Sequence, residues 1–245
     1  MSTAQIKAKR IDGSFSYNQD RLGRKIGHMI WYRLFARPLA YLYLKIWYGH
    51  KIIGAEVLEK TAGQGFFLYG NHTNAVADAL IPSMVSYPTD TYVIVHPANV
   101  SMPVLGQITP CLGALPLPDD MDAAKNFVKE IKRTIMKKEC VMIYPEAHIW
   151  PYYTKIRPFA DTSFRYPVQC KAPVYCFTNT YQKRKYRKTP RIVTYVDGPF
   201  YVQEDAAAKE QKKGLRDQVY HTMVQRSRNN SVEKYQYIKV ERKND

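Results

Sequence analysis

The sequence predicts an α/β fold: a single domain with a mostly parallel sheet flanked by helices, preceded by N-terminal amphipathic helices that associate with a membrane. Three observations lead there. Short apolar runs of buried-strand length, Phe66 to Tyr69, Thr91 to Val95 and Glu139 to Tyr144, recur along the chain. Helical patterns alternate with them, the order expected of parallel strands joined by right-handed crossovers. Ahead of these, residues 22 to 48 mix aromatics and leucines with Arg24, Lys25, Arg33, Arg37 and Lys45. The 245 residues suffice to bury one core, and no repeat, low-complexity tract or linker divides them. The expected organisation is an arm with interfacial helices over 1–48, an α/β domain over 49–228 and a polar tail over 229–245.

In chain order, residues 1 to about 20 read as a loosely held arm. Its start, MSTAQIKAKRIDGSF, is polar and basic and has no apolar core of the kind a signal peptide carries. Between Leu22 and Tyr48 the longest uncharged run falls far short of the ~20 residues of a spanning helix. Pro38 is expected to divide this segment into two helices. A basic-aromatic helix of this kind can lie in a membrane interface; packing on the core, with Arg and Lys reaching out to water, is the alternative. His50 to Val57 reads as a strand with a glycine break. Phe66 to Tyr69 is the next strand, broken by Gly70 and Asn71. Ala75 to Val85 has helical composition, with Thr73 or Asn74 as a cap and Pro82 bending or shortening it. Residues 104–117 read as a short helix, a turn and a strand.

Asp122 to Lys138 is the cleanest amphipathic helix. Phe127, Val128, Ile131 and Ile135 keep 3–4 spacing, and the basic last turn suits the helix dipole. Pro173 to Asn179 and Arg191 to Asp197 are later strands, with the basic loop Lys183 to Lys188 between them. Ala206 to Arg228 is a C-terminal helix, and the tail beyond it is expected to fray.

The formal net charge of +16 favours acidic partners: phosphate head groups, anionic lipid surfaces, nucleic acid or a nucleotide carrier. Twenty Tyr and three Trp suit a membrane–water interface. Cys111, Cys140, Cys170 and Cys176 form no CxxC pair and have no His at metal spacing. A reducing compartment with no disulfide and no metal site is therefore expected.

His72 directly follows the break after Tyr69. It is expected on a strand-to-helix turn at the C-terminal end of a strand, where open α/β sheets bind ligands. Asp78 lies six residues on, about 240° around a helix, so the two share no helical face. From the turn, His72 can fold back over the first helical residues. Asp78 would then accept a hydrogen bond from one ring nitrogen and leave the other free to take a proton from a hydroxyl. That is the base-plus-orienter logic of a serine hydrolase without its serine. A capping or solvated histidine is the plainer alternative.

The order of these pieces resembles the glycerolipid acyltransferases of the lysophosphatidate acyltransferase type, over roughly residues 45 to 225. The family's first block, Asn-His, four residues and Asp, is similar to Asn71-His72, five residues and Asp78. Gly113-Ala-Leu-Pro-Leu-Pro118-Asp119 stands at the second block, without the family's Arg. Ile143-Tyr144-Pro145-Glu146-Ala147-His148 stands where the third has aromatic-Pro-Glu-Gly-Thr-Arg. Arg157-Pro158-Phe159, then Ala172-Pro173-Val174-Tyr175-Cys176-Phe177 and Asp197-Gly198-Pro199, resemble the family's later segments. The departures are the extra residue before Asp78, the missing second-block Arg and the missing Gly-Thr-Arg.

The resemblance implies transfer of a fatty acyl group from an acyl thioester, acyl-CoA or acyl carrier protein, to a lysophospholipid hydroxyl such as that of lysophosphatidate. It implies no cofactor beyond the donor substrate, and residence at the cytoplasmic face of the cell membrane, peripheral or monotopic, on an anionic surface. His72 becomes the base and Asp78 its orienter. Asn71, Gly113, Glu146 and His148 fall at the substrate site, and any of Lys155, Arg157 or Arg165 could replace the missing Arg, which would grip phosphate oxygens in pairs. Backbone N–H groups near His72 or near Gly113 could serve the oxyanion. Two rival readings stand beside this one. A non-catalytic membrane-surface relative would tolerate the altered motifs. A nucleic-acid-binding protein would explain the charge, but no helix-turn-helix, zinc-finger or single-strand-binding signature supports it.

Overall fold

The computed structural model describes residues 8–17, 22–103, 105–203 and 205–238. Residues 1–7 and 18–21 of the expected arm and 239–245 of the tail lie outside them. Seven strands form one sheet in the order β1-β7-β6-β2-β5-β3-β4. They are β1 Lys51–Ile53, β2 Phe66–Gly70, β3 Thr91–Val95, β4 Ala114–Pro116, β5 Cys140–Ile143, β6 Val174–Gln182 and β7 Arg191–Phe200. Every pairing is parallel except β6 with β7. The fold is thus the single α/β domain with a mostly parallel sheet that the alternation of runs predicts.

Strand β2 is central and buried on both faces, which is why it reads as a continuous apolar run rather than an alternating one. Its side chains still alternate between layers. Phe66 and Leu68 join the cluster of Leu44, Tyr48, Ile81 and Val85. Phe67 and Tyr69 join that of Phe127, Ile131, Leu215 and Val219. Helix α1, residues 22–48, and helix α2, Ala77–Val85, therefore cover one face. Helices α3, Met121–Met136, and α5, Ala208–Ser227, cover the other, with the short α4, Arg165–Cys170, beside them.

Three sequence expectations change. Pro38 does not divide α1: the residues on either side of each junction keep right-handed helical dihedrals, and the rod runs on to Gly49. The turns before Pro38 are widened to five-residue spacing, with the Arg37 N–H bonded to the Tyr32 carbonyl. This gives the proline ring room and absorbs its missing donor. His50 to Val57 supplies only a short strand, because Gly54 at φ 86° turns the chain into a 3₁₀ segment, Ala55–Thr61. The described part of the arm, residues 8–17, is not loose. The Ile11 N–H donates to Asp119 Oδ2 at 2.7 Å, the Asp119 N–H donates back to the Ile11 carbonyl at 2.9 Å, and Ile11 and Tyr17 are buried.

Helix α1 is clamped at its base by Asp90. That buried carboxylate accepts from Arg33 Nε at 3.0 Å and from His28 Nε2 at 3.1 Å, with Arg37 Nη1 at 3.5 Å. Its inner side, including Tyr32, Ala40, Leu44 and Tyr48, is buried. Its outer side leaves Trp31, Leu34, Phe35, Leu39, Leu42 and Ile46 each about half exposed or more. No helix among the described residues is long and apolar enough to cross a membrane.

Candidate active site

The turn between β2 and α2 is built by one carboxylate. Asp78 Oδ2 accepts the Thr73 N–H at 2.7 Å, the Asn74 N–H at 2.8 Å and His72 Nδ1 at 3.0 Å. Asp78 Oδ1 accepts Asn179 Nδ2 at 3.3 Å. Asn74 caps α2 through the Ala77 N–H, at 3.0 Å. The extra residue of the first block is thus taken up in the turn, and the His72 ring folds back onto the first turn of α2. Burial pushes the Asp78 carboxyl up, while His72 and the two amides pull it down. Three of its partners, the Thr73 and Asn74 N–H groups and the Asn179 amide, can only donate, which favours the ionised carboxylate that burial opposes, and beside an ionised Asp78 the His72 ring nitrogen donates as well. Nδ1 of His72 then carries the ring proton, and Nε2 is left with a free lone pair.

A second row of polar groups locks this arrangement. Asn179 Oδ1 accepts the Thr194 hydroxyl at 2.6 Å, so its amide must donate to Asp78. Thr194 in turn accepts from His50 Nε2 at 2.8 Å. Burial lowers His50 to about 4, so it stays neutral and carries that proton. The chain His50–Thr194–Asn179–Asp78–His72 runs through the two strands β7 and β6 to helix α2, and each link is a hydrogen bond, the condition under which a buried polar network specifies one geometry.

Tyr144 supports the ring from below. It stacks on His72 with centroids 4.3 Å apart and planes 16° apart, and the Phe177 edge backs it at 6.2 Å. Its hydroxyl donates to the Asp78 carbonyl at 2.5 Å. That carbonyl is available because residue 82, four positions on, is a proline with no N–H to offer. Pro82 therefore neither ends nor shortens α2; it frees an acceptor for Tyr144.

Glu146 joins the third block to the first. Its Oε2 accepts the His72 N–H at 2.9 Å and its Oε1 the Arg157 N–H at 2.8 Å, with Arg157 Nη2 at 3.4 Å. Burial raises the Glu146 carboxyl, and these donors oppose it. Arg157 is held further by the His148 carbonyl and by the Trp150 ring, 4.9 Å from its carbon. Its Nε is buried with no hydrogen-bond partner. Ala147 keeps φ 64°, the left-handed conformation that glycine adopts freely, so the third-block turn persists without its glycine.

Of the expected site residues, the fold brings together His72, Asp78, Glu146, His148 and Arg157. Asn71 lies beside them but is buried: its side-chain oxygen accepts the Asn179 N–H at 2.7 Å and its amide donates to the Asn179 carbonyl at 3.0 Å, which ties β2 to β6. Gly113 is a correction. At φ 87° it ends the 3₁₀ turn just before β4, which lies three strands from β2, about 14 Å away across the sheet. Its carbonyl accepts the Val93 N–H at 2.8 Å, so it shapes the sheet edge. Arg165 is laid over the Tyr166 ring at 4.8 Å, and Lys155 is exposed; neither bonds to this cluster. Asn179 and Tyr144 have roles that sequence reasoning missed. Tyr144 stood in the third block, but its partner is set by a proline more than sixty residues earlier in the chain. Among the described residues no His, Cys, Asp and Glu cluster has the geometry of a metal site.

The C-terminal tail, expected to fray, is tied down through residue 238. Asn230 accepts the Tyr181 N–H at 2.7 Å and donates to the Thr154 carbonyl at 3.0 Å. Tyr237 stacks on Trp150, with centroids 5.1 Å apart, and its hydroxyl donates to the Pro151 carbonyl at 2.8 Å. The strapped loop itself crosses the site: the Trp150 N–H donates to the His72 carbonyl at 3.1 Å and the Tyr152 N–H to that of Thr73 at 2.8 Å. Deleting residues 229–245 is therefore expected to leave the domain folded by circular dichroism. The same deletion should lower kcat/KM on the order of tenfold to a hundredfold, because Arg157 and the loop lose their outer support. Unchanged kcat/KM would show that the loop holds itself.

Comparison with known proteins fits this geometry. No curated protein sequence matches. Among solved structures, the 1-acyl-sn-glycerophosphate acyltransferase PlsC of Thermotoga maritima shares the fold, at a TM-score of 0.54 and 14% identity over 82% of this chain and 86% of that one. The family model described as Acyltransferase matches residues 50–179, a span that holds His72, Asp78, Glu146, Arg157 and Asn179. That match covers more than half of the chain, which thus belongs to the acyltransferase family.

Proposed function

We propose that the protein transfers a fatty acyl group from an acyl thioester, acyl-CoA or acyl carrier protein, to the hydroxyl of a lysophospholipid such as lysophosphatidate. The reaction takes place at the cytoplasmic face of an anionic membrane. The observation that carries this reading is His72 Nδ1 held 3.0 Å from a carboxylate whose three other partners are all donors. In the reaction, Nε2 of His72 takes the acceptor's hydroxyl proton as its oxygen attacks the thioester carbonyl. The tetrahedral oxyanion collapses, the carbon–sulfur bond breaks, and the imidazolium returns the proton to the departing thiolate. The Thr73 and Asn74 amides are spent on Asp78, so the free donors of that turn for the oxyanion are the amides of Ala75 and Val76. The outer side of α1, with its half-exposed Trp31, Leu34 and Phe35, supports interfacial residence of the kind basic-aromatic helices adopt. PlsC is a 1-acyl-sn-glycerophosphate acyltransferase, which agrees with this acceptor class.

Arg157 serves as the acceptor-phosphate ligand in place of the missing second-block Arg, because its buried Nε lacks a partner beside His72. The test is turnover of lysophosphatidate and of a monoacylglycerol in mixed micelles, with each donor. Lysophosphatidate should be the better acceptor, and Arg157→Ala should raise its KM at least tenfold, as the loss of a charge-assisted pair implies, while sparing the monoacylglycerol. Absence of turnover with both donors would overturn the proposal. Equal KM changes for both acceptors would remove Arg157 from phosphate binding.

A further inference from the structure

The loop between β6 and β7 carries a concentration of positive charge that the proposed reaction does not use. Lys183, Arg184, Arg187, Lys188 and Lys234 line a cavity of about 210 Å³ with Pro190 and Val232, and no acidic side chain lines it. Glu233, next to Lys234 in sequence, is exposed and outside this lining. Like charges crowd one another here: desolvation acts most to lower Arg184, and Arg187 and Arg191 add to it. Such a cluster is costly unless an anion occupies it.

The cavity also has a defined position. Arg184 Nη1 donates to the Trp47 carbonyl at 2.8 Å and Arg187 Nη1 to the Ile46 carbonyl at 2.7 Å, so both cap the C-terminus of α1. Ile46 and Trp47 are themselves more than half exposed, and Tyr186 at the loop tip is 84% exposed. The apolar outer side of α1 thus runs directly into the basic cavity. An apolar strip with aromatics, ending in a ring of cations, matches the depth profile of a bilayer surface: acyl chains, then glycerol and carbonyl, then phosphate.

We propose that Lys183, Lys188 and Lys234, with Arg184 and Arg187, form a headgroup site for an anionic phospholipid of the bilayer, separate from the acyl-acceptor site at Arg157. The lipid's phosphate sits among the cations while its chains lie along the last turns of α1. The occupant belongs to the membrane because the cavity opens beside Ile46 and Trp47, where a phosphate carrying acyl chains gains apolar contact that a free phosphate lacks. Lipid held there would fix the rotation of α1 on the surface.

The test compares three full-length proteins by vesicle co-sedimentation, using phosphatidylcholine vesicles with and without 30% phosphatidylglycerol, the one composition chosen for the assay, and differential scanning fluorimetry with glycerol phosphate. Lys183→Gln/Lys188→Gln/Lys234→Gln leaves both arginine caps in place. This triple variant should bind phosphatidylcholine vesicles like wild type and lose roughly a hundredfold in partitioning onto phosphatidylglycerol vesicles, at about a fivefold loss per basic residue. Leu34→Glu/Leu42→Glu should instead lose binding to both. Equal loss by the triple variant on both vesicle types, or no loss on phosphatidylglycerol, would overturn the proposal. So would stabilisation of wild type by glycerol phosphate as large as that by phosphatidylglycerol vesicles, which would assign the cavity to a soluble phosphate.

Discussion

Replacing His72 by alanine is expected to lower kcat by about 10²- to 10⁴-fold, the contribution of a positioned general base, with the fold retained. The separation of activity from stability follows from where its atoms go. The His72 N–H that Glu146 accepts and the carbonyl that Trp150 reaches are backbone groups, and alanine keeps both. The ring contributes one hydrogen bond and a face against Tyr144, so the cost in stability should stay within about 2 kcal/mol. Steady-state turnover of an acyl thioester beside a urea unfolding curve measures both. A variant retaining more than about a tenth of wild-type activity would remove His72 from the chemistry.

Asp78→Asn should cost on the order of 10³- to 10⁴-fold in kcat, by analogy with orienting carboxylates elsewhere. The structure adds the reason. An asparagine amide that points its oxygen at His72, Thr73 and Asn74 turns its NH₂ against the NH₂ of Asn179, whose own orientation is fixed by Thr194. An amide flipped the other way sets donors against the two backbone N–H groups and forces the His72 proton onto Nε2, where the lone pair is needed. Either orientation leaves buried groups unpaired, so unfolding free energy should also fall by about 1–3 kcal/mol. The companion change Asn179→Asp, made in the same chain, restores a carboxylate beside residue 78 and should recover stability more than activity. Wild-type kcat in Asp78→Asn would mean that His72 acts without an orienter.

By itself the sequence determined the features that depend on neighbours along the chain. The apolar run 66–69 with its glycine and asparagine stop placed His72 at the C-terminal end of a strand, since strand length and turn chemistry are local. The 3–4 spacing of Phe127, Ile131 and Ile135 defined α3. The extra residue before Asp78 belongs in the turn because Thr73 and Asn74 are turn formers while Ala75 onward has helical composition. Tertiary structure decided whatever depends on which strands become neighbours. Asn179 meets Asp78 only because β6 lies beside β2, more than a hundred residues apart in sequence. Gly113 falls away from the site because β4 is an edge strand, a consequence of strand order that no motif spacing encodes. Pro38 and Pro82 looked like helix breakers, yet each missing N–H is absorbed by a long-range or widened-turn arrangement: five-residue spacing in α1, the Tyr144 hydroxyl at α2. The tail from Asn229 to Ile238 is polar and reads as solvated. It is ordered because Trp150, Thr154 and Tyr181 converge to receive it, three positions that only the folded sheet brings together.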